Sequence, residues 1–294
     1  MAVYSAGYVN GIGEDKTAST GYDYKVNENT VVINGGVEIK GAVYGGVFAC
    51  QGGKAYVGNV SISVGNAKVD RILGGGWAQT GGKSDVGTVS INLGIGAQVG
   101  IVYAGGGNAK VGNTEVFGKV DETIKDVAIT VDGGDVGEIF MGGRYNKSVV
   151  TGAVVVTINS EADSTISRIS GKNGYGVRLE NAGRTELVVN SGLTVGMLDS
   201  VDKLTIAEGK TLNITDSFSY DGELAINFDL GENGVFDGES EWTVMTGVTL
   251  DDIANVKFAI NGTEITGITG GVLGESGYKF EYENKTLKFM LAEA

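Results

Sequence analysis

The side chains of this sequence that could do chemistry are its carboxylates, five arginines and a scatter of aromatic rings. Arg71, Glu138 and Arg168 fall at equivalent places in different repeats, which sets them in one outward column. A carboxylate beside a guanidinium on neighbouring strands makes a surface ion pair, so Glu138 is expected to pair with Arg168, for about 0–1 kcal/mol. The segment Asp221 to Glu241 carries seven carboxylates and no base. It has the charge to attract Ca²⁺ but neither the D-x-D-x-D-G loop nor the nine-residue glycine–aspartate repeat that would hold the ion. Asp132 and Asp135, in VDGGDVG, are as weak a pair. These carboxylates read as solvated surface, and no metal and no cofactor are expected. Glycine runs such as 105–107 suggest a phosphate cradle, but no G-x-x-x-x-G-K-[ST] order is present and no helix is expected after them. Histidine, the commonest general base and zinc ligand, is absent. No catalytic residue is assigned, and the chain reads as a non-enzyme.

The aromatic residues suggest binding instead. Tyr56, Trp77, Phe117, Tyr145 and Tyr175 lie in segments of variable length. If they align on one face, they form a strip suited to stacking on sugars or contacting another protein.

Composition narrows the classes further. The chain has 294 residues, 51 of them glycine, no proline and a net charge of −14. Glycine without proline and without a G-x-y period is neither collagen nor a proline-rich linker. It suits an all-β chain with many tight corners, where glycine takes φ > 0 without a steric penalty. Strong acidity excludes nucleic-acid partners, which need a basic face. The single cysteine, Cys50, can form no intrachain disulfide, and beside Val47 and Phe48 it reads as a buried, inert thiol. The first residues, MAVYSAGYVNG, have no basic start and no apolar core, so no signal peptide is expected there. No apolar run reaches the roughly 18 residues of a membrane helix, and no membrane insertion is expected.

The elements that position these residues repeat. Strands alternate apolar and polar at Val60-Ile62-Val64, Val89-Ile91-Leu93, Val127-Ile129-Val131 and Val154-Val156-Ile158, flanked by Val31-Ile33 and Leu187-Val189. Period-2 alternation puts each set on one face. An outward column, Asn34, Ser63, Asn92, Thr130, Thr157 and Asn190, reads as a polar ladder. A second strand follows as Val69-x-x-Ile72-Leu73, Val99-x-x-Val102-Tyr103 and Val136-x-x-Ile139-Phe140, and each copy ends in glycines. From first strand to glycine run the distances are 15, 17, 15 and 17 residues. From glycine run to next strand they are 14, 13, 20 and 11, the longest spanning Val111 to Lys125. One arc is constant and the other varies, and loops of varying length in a repeat array are often the binding side. The fold predicted is all-β: a right-handed parallel β-helix with turns of about 30 residues and a β-rich C-terminal cap. Six such turns, about 4.8 Å apart, make a rod of roughly 30 Å. Residues 1–29 read as an N-terminal cap or degenerate first turn, 30–200 as the regular solenoid, and 201–294 as irregular final turns and cap. Asp251 to Lys257 is the one place where a short helical turn is expected.

These residues carry a resemblance. The repeat resembles pectin-lyase-like right-handed β-helices. The segment LTIAEGKTLNIT (204–215), the strand Glu241 to Met245 and a hairpin from Tyr278-Lys279-Phe280 to Leu287-Lys288-Phe289 resemble the end of bacterial autotransporter passenger domains and adhesin-like surface proteins. The resemblance implies a secreted or cell-surface rod presenting binding loops to glycans or host proteins. It also leaves two alternatives: a polysaccharide lyase or hydrolase, and an end-to-end self-associating filament or phage-fibre component.

Overall fold

The computed structural model describes residues 2–4, 8–10, 24–50, 53–79, 82–108, 122–145, 148–177, 184–232, 234–236, 241–250, 255–266, 268–269, 271–273 and 276–292. These residues form an all-β molecule of three sheets, in which most neighbours are parallel. Among them no helix is long and apolar enough to cross a membrane.

The first sheet collects the alternating strands: Tyr24–Ile33, Lys54–Val64, Lys83–Leu93, Glu122–Val131, Val154–Ile158, Thr185–Val189, Lys203–Ala207, Leu224–Asp229 and Val256–Ile260. The second collects their followers, from Ala2–Tyr4 and Glu38–Tyr44 through Ala67–Leu73, Ala97–Tyr103, Asp135–Phe140, Ser164–Ser170, Leu193–Asp199 and Leu212–Ser219 to Glu241–Thr246. A short third sheet holds Tyr8–Asn10, Phe48–Cys50, Trp77–Ala78 and Gly107–Asn108, just past the glycine corners. Each strand pairs in parallel with its equivalent one repeat away, for example Ile62 with Ile91 and Val102 with Ile139. Pairing turns antiparallel at the C-terminal end. There Glu241–Thr246 meets Thr286–Leu291, which folds back on Tyr278–Glu283. That hairpin turns through Asn284 and Lys285, at φ 49° and 60°, as a tight right-twisted connection requires. The short turn expected at Asp251 to Lys257 falls partly outside the described residues, and its described end, Val256 and Lys257, is strand.

The inward columns pack one continuous core. Ile62, Ile91, Leu93, Ile129, Val131, Val156 and Ile158 are buried to within 1 % of completely. Burying one such side chain stabilises by about 1.5–3 kcal/mol. Cys50 is buried as expected. The polar column needs a correction at both ends. Ser63, Asn92, Thr130 and Thr157 do stack in register, but Ser63 is paired with Val32 and Thr157 with Val188. Asn190 lies one step outside, where its amide donates to Asn159 Oδ1 at 2.8 Å and Asn159 donates to Asp132 at 3.2 Å. The end strands are offset by two residues, a shift that keeps the same faces inward, sets Asn29 opposite Val60 and Thr185 opposite Val154, and moves every outward neighbour.

The corner glycines also differ from expectation. None of Gly45, Gly46, Gly74, Gly76, Gly105 or Gly143 has positive φ. Close contact, mostly with the neighbouring repeat, leaves them no room for a side chain. A Cβ on Gly74 would fall under 3 Å from the Ala104 carbonyl oxygen and the Val89 side chain, and one on Gly45 would meet Gly74 and Val60 in the same way. The stacked corners touch backbone to backbone. Gly74→Ala is therefore expected to lose about 1–3 kcal/mol in denaturant unfolding, as forced overpacking does. Gly94→Ala, whose Cβ would meet only the Val64 carbonyl at 3.6 Å, is expected to stay within about 0.5 kcal/mol of the parent.

Candidate functional site

The second-sheet strands break alternation. Val69 and Ile72 both point inward although they are three residues apart, as do Val99 with Val102 and Val136 with Ile139. The ladder accommodates this by skipping one residue per strand: Asp70, Gly100 and Gly137 stay out of the paired register. The departure falls at the same place in each strand, so the strands stay in register across it. Stacked over several repeats, these residues line an open trough of 810 Å³ whose walls include Lys68, Arg71, Gln98, Asp135, Tyr103 and Arg144.

The residue after each inward isoleucine or valine points away from the main core. Tyr44, Leu73, Tyr103 and Phe140 follow one another in register along the sheet. All are at most 7 % exposed, and with Ala42 they make a second apolar cluster, covered in part by Trp77 and Ile101. Tyr103 stacks on Phe140 with centroids 5.2 Å apart and planes 15° apart. Burial raises the Tyr103 pKa above the usual phenol value; Arg144 and Arg71 pull it back, and Glu138 adds to the rise. The chain at Gly174 lies against Tyr103, where a Cβ would come within 2.8 Å of the ring.

Beside this cluster runs a line of rings. Tyr44 meets Trp77 edge-on at 5.5 Å, Trp77 meets Tyr145 edge-on at 6.1 Å, and Tyr145 meets Tyr175 at 5.4 Å. Each such pair contributes about 0.5–1.5 kcal/mol beyond its buried area. The Trp77–Tyr145 contact spans two repeats because the strand neighbour of Trp77 is Gly107. A Cβ there would stand 3.3 Å from the indole. Arg144 lies over the Tyr145 ring at 4.9 Å, joining the ring line to the trough.

Three of the five aromatic residues singled out in the sequence are thus brought together: Trp77, Tyr145 and Tyr175. Tyr56 belongs to the first sheet, between Lys25 and Asp85 in register, with the Lys25 ammonium 5.7 Å from its ring. Phe117 lies outside the described residues. Tyr44, Tyr103, Phe140 and Arg144 were not singled out, although Tyr103 and Phe140 stand in the repeated V-x-x-[IV]-Φ pattern itself.

The Arg71, Glu138 and Arg168 column is present, with Ile101 between Arg71 and Glu138. The expected ion pair is not. Arg168 reaches along the sheet to Asp199, 2.7 Å away, and stacks over Phe140 at 5.1 Å. Asp199 is buried and also accepts from Ser170 at 2.8 Å, so it offers a better-formed site than the neighbouring Glu138. Among the described residues no group of three or more Cys, Asp or Glu is placed to hold a metal ion.

No family model, curated protein or solved structure matches the chain.

The ring line depends on the bare Gly107. Gly107→Val is expected to push the indole off Tyr145 and shift Trp77 emission, while the unfolding midpoint moves little. Fluorescence in a Trp242→Phe background reads this directly, since the chain has two tryptophans. An unchanged emission spectrum would show that the rings are not in contact.

Proposed function

We propose that the chain is a right-handed parallel β-helix, a secreted or surface-exposed adhesin-like rod that binds a carbohydrate chain on the outer face of its second sheet without reacting with it. The coil reading rests on the parallel pairing of each strand with its equivalent one repeat on, and its hand on the strong preference of parallel crossovers. The binding reading rests on one observation: Trp77, Tyr145 and Tyr175 stand in line beside an open trough edged with carboxylates and guanidinium groups. Aromatic faces take the apolar C–H faces of pyranose rings, and carboxylate and guanidinium groups bond hydroxyls in known directions. A trough crossing several strands suits an extended ligand better than a small enclosed one.

A specific observation supports a second reading, a carbohydrate-active enzyme. Asp70 and Asp135 line the same trough as Lys68 and Arg71; a pair of carboxylates is the minimum that glycoside hydrolysis needs, and cations beside it stabilise developing charge.

Screening an array of immobilised oligosaccharides tests both. Binding is expected, with Trp77→Ala and Tyr175→Ala each weakening it by about 2 kcal/mol or more, as central aromatic contacts do. The bound oligosaccharides should be recovered at full length. Shortened or unsaturated products that vanish in Asp70→Asn or Asp135→Asn would establish the enzymatic reading. Absence of any bound carbohydrate would remove both.

A further inference from the structure

Most described basic side chains already have an acidic partner. Lys68 lies 3.8 Å from Glu38, Lys83 is 3.0 Å from Asp85, Arg168 is 2.7 Å from Asp199, Lys203 is 3.0 Å from Glu186, and Lys257 and Lys288 are each 2.7 Å from a glutamate. On a chain of net charge −14, carboxylates are plentiful. Arg71 and Arg144 are exceptions. Both are half-buried, both line the trough, and neither makes an ion pair among the described residues. Arg144 lies over Tyr145, its guanidinium carbon 4.9 Å from the ring centroid, and lines the trough as well. A half-buried guanidinium loses hydration and regains it fully only from an acceptor placed in its plane. Oxyanions fit that fork with two parallel, charge-assisted hydrogen bonds.

We infer that the trough is an oxyanion subsite, in which Arg71 and Arg144 hold a carboxylate or sulfate ester carried by the bound carbohydrate. This rests on the carbohydrate-binding reading above and narrows its ligand class. Asp70 and Asp135 line the same trough, so a densely charged polyanion is disfavoured. The ligand expected is a mostly neutral sugar chain with isolated anionic groups, its neutral rings on Trp77, Tyr145 and Tyr175.

The test compares one lactosamine-type oligosaccharide in three forms, neutral, sulfated and sialylated, by titration calorimetry against the full chain. At least one anionic form is expected to bind tenfold or more tightly than the neutral form, and which one does so separates sulfate from carboxylate. Arg71→Ala and Arg144→Ala should erase that preference while leaving neutral binding nearly intact, whereas Trp77→Ala should weaken all three forms together. Equal binding of the neutral and anionic forms overturns the oxyanion subsite and leaves carbohydrate binding standing. If no form binds, inorganic sulfate decides: its effect on the melting temperature at matched ionic strength is compared between the parent and the double variant Arg71→Ala/Arg144→Ala. A larger rise in the parent supports the subsite without the carbohydrate, because binding to the native state raises its melting temperature. An equal rise, as a general solvent effect of sulfate produces, overturns it.

Discussion

The close approach of backbone to backbone at the stacked glycine corners sets the geometry of this molecule. Where the second sheet ends, Gly45 lies against Gly74 and Gly74 against Ala104, leaving no room for a Cβ. The corner amides bond to the carbonyls of the neighbouring repeat, Gly45 to Leu73 and Gly74 to Tyr103, at 2.9 and 3.0 Å. Each repeat therefore sits on the next in a fixed register. That register turns a one-dimensional pattern into columns: apolar residues inward along the first sheet, and along the outer edge of the second an apolar, mostly aromatic run followed by polar residues.

The outer edge shows what the register does for the surface. Tyr44, Leu73, Tyr103 and Phe140 occupy one column, which continues as Ser170 and Asp199. Arg168 joins the two halves, its guanidinium over Phe140 and bonded to Asp199. The skipped residues Asp70, Gly100 and Gly137 shape the trough next to the apolar half. The same irregularity that lets two inward residues stand three apart thus turns an aromatic residue outward and opens the adjoining surface. Fold and site come from one departure from strict alternation.

The inward columns were legible in the sequence because period-2 alternation is local, and the glycine runs because they recur. Their physical reason was not. Positive φ is the usual explanation for glycine, and contact with a neighbouring repeat leaves no trace in any single repeat. The register at the two end strands is not legible for a related reason: shifting Val31-Ile33 by two residues keeps both on the inward face, at the cost of setting Asn29 opposite Val60. Trp77, Tyr145 and Tyr175 could be singled out as aromatic and variable in context, but their meeting depends on Gly107, a residue notable only for what it lacks. Arg144 and Tyr103 do not stand out in the sequence because their roles arise from neighbours 32 to 76 positions away, such as Lys68 and Arg71. The Glu138–Arg168 pair failed because adjacency in a column does not decide where a long, flexible side chain goes when a buried carboxylate lies one strand further on.

The central claim is that the ring line and its trough are the surface this protein uses. Trp77 reports on it alone once Trp242, buried in the aromatic cluster near the C-terminal end, is replaced by phenylalanine. Titrating this variant with the oligosaccharide it binds most tightly should give a saturable shift in Trp77 emission, with a midpoint equal to the dissociation constant from calorimetry. Calorimetric binding with no change in Trp77 emission would place the ligand elsewhere and contradict the account.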